Sequence, residues 1–107
     1  MNETVISLLE KINSKLSGSA NLPKRFLEMR KVVLLDMGAV TVKFLISNGV
    51  VAVTEEPREP DIIIYASEQE IRDIMGKRSN PMDAYSRGRI KIKSSFTDKL
   101  ILAELLS

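Results

Sequence analysis

The residue types that carry most enzymatic chemistry are missing from this 107-residue chain: it has no histidine and no cysteine. Without histidine there is no general base of the commonest kind. The serine and cysteine triads that depend on it are absent too, as are most transition-metal sites. Without cysteine there are no disulfides, thiolates or sulfur metal ligands. The eleven serines therefore have no evident activator. Four carboxylates, Glu55, Glu56, Glu59 and Asp61, lie close together, but Pro57, Arg58 and Pro60 interrupt them and EF-hand spacing is absent. The five glycines form neither a Walker A loop nor a dinucleotide fingerprint. These features predict no catalysis, no metal and no cofactor.

Binding chemistry remains. Lys77, Arg78, Arg87, Arg89, Lys91 and Lys93 stand in a short tract whose only acid is Asp83. On a strand, Arg89, Lys91 and Lys93 project to one side. Arg87, Arg89, Lys91 and Lys93 thus make a candidate surface for anionic lipid headgroups, and equally an ordinary solvated sheet face. Nucleic acid is the weaker partner for it, because the net charge is only +2 and no aromatic residue interleaves to stack bases. The second feature is apolar excess. In Leu100–Leu106 only Glu104 is polar, so hydrophobic residues cover most of the helix circumference, where one stripe would suffice for packing. Such a helix covers two surfaces, or leaves apolar area for a ligand, a lipid or a second chain. Met29, Met37, Met75 and Met82 add flexible side chains of the kind that fills irregular apolar space.

The elements that position these residues announce themselves by their ends. Val5, Leu8, Leu9, Ile12 and Leu16 fall on one face of a helix of about four turns that stops near Gly18. Ser17 to Asn21 reads as a loop, and Pro23 opens a short turn with Phe26, Leu27 and Met29. Lys31–Met37 is an aliphatic strand. In Val40–Ser47, Val42, Phe44 and Ile46 point one way and Thr41, Lys43 and Ser47 the other. Asn48-Gly49 predicts a two-residue hairpin turn into strand Val50–Thr54. After the proline-broken acidic loop comes the strand Asp61–Ala66. Ser67 and Glu70 form a capping box for a helix that Gly76 would end in the left-handed conformation. Asn80-Pro81 starts another short helix, Gly88 stops it, Ile90–Lys93 alternates as a strand, and Ser95 caps the last helix. The order predicts one domain over residues 1–107. Its fold class is α+β, a two-layer sandwich with a mostly antiparallel five-stranded sheet covered on one face by helices.

The tract Met75-Gly76-Lys77, Asn80-Pro81-Met82-Asp83-Ala84-Tyr85, Arg87-Gly88-Arg89-Ile90-Lys91-Ile92-Lys93 and the leucine-rich end resembles the sterol carrier protein 2 family of small lipid-binding domains. The family often has glycine after the Lys-Ile-Lys strand, and Ser94 stands there in this chain. The resemblance is sharpest over this tract, and the order of elements agrees over the whole chain. It implies a hydrophobic tunnel between sheet and helices. The implied lining is Leu9 and Ile12 of the first helix, Phe26, Phe44 and Ile46, and Leu102, Leu105 and Leu106 of the last helix. Met75, Met82 and Tyr85 sit on two short glycine-flanked helices able to open as a lid.

The expected function is a non-catalytic, cytoplasmic carrier that holds a fatty acyl, acyl-CoA, isoprenoid or sterol-like chain and touches anionic membranes transiently. Two alternatives are a ligand-free dimerisation or scaffold module, of the kind found in lipid or quinone metabolism, and a nucleic-acid binder using the basic face. The start Asn2-Glu3-Thr4 does not read as a signal peptide, and no apolar run is long enough to span a bilayer.

Overall fold

The computed structural model describes residues 2–18 and 24–106, with residues 25 and 103–106 described by backbone alone. The elements run α1 (Glu3–Ser17), α2 (Lys24–Glu28), β1 (Arg30–Asp36), β2 (Thr41–Ser47), β3 (Val50–Val53), β4 (Ile62–Ala66), α3 (Glu68–Met75), α4 (Pro81–Ser86), β5 (Ile90–Lys93) and α5 (Phe96–Leu106). The loop around Ser19–Asn21 and the expected role of Pro23 lie outside the described residues.

Local chemistry sets the boundaries. The Asn2 side chain accepts the Thr4 N–H at 2.7 Å and opens α1, and Ser67 accepts the Glu70 N–H at 3.0 Å to open α3. Asn80 accepts from both Met82 and Asp83 ahead of α4, with Pro81 at the first helical position. Ser95 accepts the Asp98 N–H at 3.2 Å at the start of α5. Asn48 and Gly49 have φ of 53° and 76°, the double positive that a type I′ hairpin requires. The end of α3 differs from expectation. Gly76 has φ −83°, and the left-handed residue is Lys77, at 62°. Gly76 matters through its missing side chain: a Cβ there would lie 2.5 Å from a guanidinium nitrogen of Arg78, which folds back to bond Asp73 and the Arg72 carbonyl.

The sheet order is β3-β2-β1-β4-β5. Three pairings are antiparallel, and β1 with β4 is parallel, in register Val33 to Ile62 and Leu35 to Ile64. The parallel pair arises because the chain leaves the β3 edge through the acidic loop and re-enters beyond β1. That loop is tied down by its charges. The Lys43 ammonium donates to the Glu56 and Arg58 carbonyls at 3.1 and 3.3 Å. Glu56 pairs with Arg30, while Asp61 accepts the Val32 N–H at 2.8 Å and pairs with Arg58. Burial pushes the Asp61 carboxyl up, but the bonds from Val32 and Arg58 outweigh it and hold it below the usual carboxylate range. Two of the four acids, Glu56 and Asp61, thus fasten a crossing loop.

Side chains alternate across the strands. Val33, Leu35, Phe44, Ile46, Val51, Ile64 and Ile90 face the helices, and the residues that alternate with them along the strands, Lys43, Leu45, Ile63, Lys91 and Lys93, face outward. Val32 points outward and is still fully buried, because the tethered loop crosses that side. α1 lies over the β3 side of the sheet, and its Asn13 side chain makes paired bonds of 2.8 and 2.9 Å with the Val51 backbone. Those bonds occupy backbone groups on an edge strand that would otherwise invite pairing with another chain. α3 packs on α1. Thr4 and Asn2 donate to Glu68 at 2.8 and 3.1 Å, and Lys11 reaches the Met75 carbonyl.

Candidate functional site

Two apolar spaces lie between the layers, and two side chains separate them. The inner one is walled by Leu8, Leu9 and Ile12 of α1, the helix-facing positions of all five strands, Ile71 of α3 and Leu102 of α5. Every wall residue is apolar. The cavity holds about 50 Å³, and on the same measure one water takes about 10–15 Å³, so it admits a few methylene-sized groups.

The outer space is a groove of about 130 Å³ between α4, β5 and α5, lined by Pro81, Met82, Tyr85, Ile90, Ile92, Phe96, Lys99, Leu100 and Leu102. It exists because α4 has six residues and buries only Ala84, while α5 carries apolar residues all round. Ile101 and Leu102 of α5 face the core, which leaves Phe96 75% and Leu100 46% exposed. Met82, opposite, is 55% exposed. Ile90 and Leu102 belong to both spaces. They form the partition between groove and cavity.

A charged network fixes the α4 end of the groove. Glu70, almost fully buried, does not return to cap its own helix. Its carboxylate accepts the Ser79 hydroxyl at 2.6 Å and the Arg89 guanidinium at 3.2 Å. Arg89 also reaches Asp83 at 3.2 Å, and Asp83 takes Arg87 at 2.9 Å. Bonds from Arg87 and then Arg89 hold the Asp83 carboxyl below its ordinary range, and Glu70 and then Asp83 raise Arg89 further. One tie therefore joins α3, α4 and the start of β5.

The structure distributes the expected residues as follows. Leu9, Ile12, Phe44, Ile46 and Leu102 meet at the inner cavity, and Met82 and Tyr85 line the groove with Leu102. Phe26 is buried and Met75 packs against the core, but neither reaches either space. The Leu105 and Leu106 side chains lie outside what is described. In the basic tract, Lys91 and Lys93 stay exposed on the outer sheet face, whereas Arg87 and Arg89 turn to Asp83 and Glu70. β5 begins at Ile90, so the alternation that grouped Arg89 with Lys91 does not extend to it. The residues that the sequence reading missed are Leu8, Val33, Leu35, Val51, Ile64, Ile71 and Ile90 in the cavity, and Ile92, Phe96, Lys99 and Leu100 in the groove. Leu8 shares the helical face of Leu9 and Ile12, which is the signal that would have found it.

This is a small α+β domain with an apolar cavity and an adjoining groove between a sheet and its helices. Solved structures share the fold. Palmitated sterol carrier protein 2 like 2 from Aedes aegypti superposes with a TM-score of 0.71 at 19% identity, over 95% of this chain and 93% of that one. Sterol carrier protein 2 from the same mosquito, in complex with the C16 fatty acid palmitate, gives 0.67 at 10% identity, over 100% and 97%. The ubiquinone synthesis protein UbiJ gives 0.68 at 15%, over 95% and 93%. No family model and no curated protein matches by sequence. The chain has the sterol carrier protein 2 fold.

Proposed function

We propose that this protein carries one long apolar chain, such as that of a fatty acid, acyl thioester or isoprenoid, between its sheet and helices. The observation that carries the reading is the all-apolar inner cavity, separated by Ile90 and Leu102 from a mostly apolar groove. The two mosquito relatives of the same fold, one palmitated and one complexed with palmitate, support it. Mechanism is solvent exclusion. At about 0.8 kcal/mol per buried CH₂, a sixteen-carbon chain gains about 12 kcal/mol gross, and ordering and association offset much of it.

The inner cavity is several times too small for such a chain, so loading requires expansion. The part able to move is α4, whose only buried residue is Ala84, with the exposed Phe96 and Leu100 of α5 beside it. α1 and α3 are bonded to each other and stay. On this reading an anionic membrane is the cytoplasmic source of lipid. Lys91 and Lys93 lie on the strand whose opposite face walls the groove, and each contributes roughly 1 kcal/mol near such a surface.

Among the described residues no helix is long and apolar enough to cross a membrane. The scaffold reading rests on one observation, the exposed cluster Met82, Phe96 and Leu100, which a second copy would also cover.

Native mass spectrometry of the purified protein, with organic extraction, tests the proposal. The expected result is one lipid per chain, or uptake of one added palmitate. A clean unliganded mass that refuses fatty acids, acyl thioesters and isoprenoids overturns it, and a ligand-free dimer puts the scaffold reading in its place.

A further inference from the structure

Among the described residues the groove is lined by a single cation. The Lys99 ammonium lies 2.9 Å from the Tyr85 hydroxyl and 5.4 Å from the centre of its ring. Among the described residues no carboxylate pairs with Lys99, whereas Lys31, Arg87 and Arg89 are each matched to an acid. A neutral hydroxyl is a weaker acceptor for an ammonium than an anionic oxygen. The Tyr85 oxygen accepts from Lys99, which leaves its own O–H free to be aimed at a third group. Ammonium and phenol together therefore offer converging donors at the lip of an otherwise apolar groove. Leu102 is one helical turn beyond Lys99, so the site stands directly over the partition to the inner cavity.

We propose that Lys99 and Tyr85 hold the carboxylate of a long-chain fatty acid whose tail passes Ile90 and Leu102 into the cavity. The inference rests on the carrier reading and sharpens it: the preferred cargo is a single-chain anionic amphiphile with a compact head. A neutral alcohol or sterol of equal apolar area would gain the burial but leave the ammonium with its phenol.

The test compares palmitate with hexadecanol, which has the same chain length and a neutral head, by displacement of a neutral fluorescent probe. Wild type, Lys99→Gln, Lys99→Arg and Tyr85→Phe are assayed, each checked for native circular dichroism. Lys99→Gln should weaken palmitate roughly 5–20-fold and hexadecanol less than about 2-fold. Lys99→Arg should restore most palmitate binding, and Tyr85→Phe should lose a few-fold for palmitate alone. Equal weakening of both ligands by Lys99→Gln, or no weakening of palmitate, overturns the head-group site while leaving the carrier reading standing. Failure of wild type to bind either ligand overturns the head-group site and removes fatty acids from the carrier reading.

Discussion

The two halves of the helical layer are built by different rules. α1 and α3 show the sheet a narrow apolar face, bury Val5, Leu8, Ile71 and Ile74, and lock to each other through Thr4, Asn2 and Glu68. α4 and α5 leave Met82, Phe96 and Leu100 in water and enclose a groove, with the tie at Glu70 and Arg89 on one side only. The first half is a wall that holds the sheet. The second has apolar surface in excess of what packing uses, which is the property a lipid entrance needs. Stability and binding are thus separated in space, and that separation can be attacked.

The largest effect should come from the wall. Ile71→Ala or Leu8→Ala should cost about 2–5 kcal/mol in denaturant unfolding, because each deletes a buried aliphatic side chain. Met82→Ala or Phe96→Ser should stay within about 0.5 kcal/mol. Comparable losses on both sides would mean that α4 and α5 are ordinary core.

Next comes the tie between the halves. Glu70→Ala leaves Ser79 and Arg89 without their shared acceptor, so about 1–3 kcal/mol should be lost. Amide exchange should quicken in α4 well before it does in α1. Uniform quickening would remove the distinction.

Acid should loosen the wall. Glu68 is held below the ordinary range, first by the Thr4 hydroxyl and then by Asn2. A carboxyl depressed in the folded state contributes stability that is full above its unfolded value, about 4.3, and is lost as pH falls through the folded value. The midpoint of thermal unfolding should therefore drop below about pH 4, and Glu68→Gln should flatten the drop. The smallest change concerns Lys77, held at positive φ. Lys77→Gly should stabilise by up to about 1 kcal/mol, read from the denaturation midpoint.

Features set by neighbours in the chain were legible in the sequence. The caps at Ser67, Asn80 and Ser95, the Asn48-Gly49 turn, the alternation in β2 and the face of α1 all follow from local spacing, and from them the two-layer class. Features set by distant partners were hidden. β1 and β4 are apolar on both faces, since Val32 is covered by a loop and Val33 by helices, so no alternation marks Val33, Leu35 or Ile64 as lining. The parallel pairing of β1 with β4 depends on where the acidic loop carries the chain. Arg89 reads as strand by spacing but is claimed by Glu70, 19 positions away in sequence. Lys99 reads as a polar break in a greasy helix; only the placement of Tyr85 beside it turns it into a candidate ligand contact.

Titration of methyl-labelled protein with palmitate, followed by nuclear magnetic resonance, tests the central claim most directly. The account predicts saturation at one palmitate per chain. The largest shifts should fall at Ile90, Ile92 and Leu102, smaller ones at Leu35 and Ile64, and almost none at Val5 or at Leu45 on the outer sheet face. Shifts centred on Leu45 and Ile63, or a spectrum unchanged by excess palmitate, would contradict it.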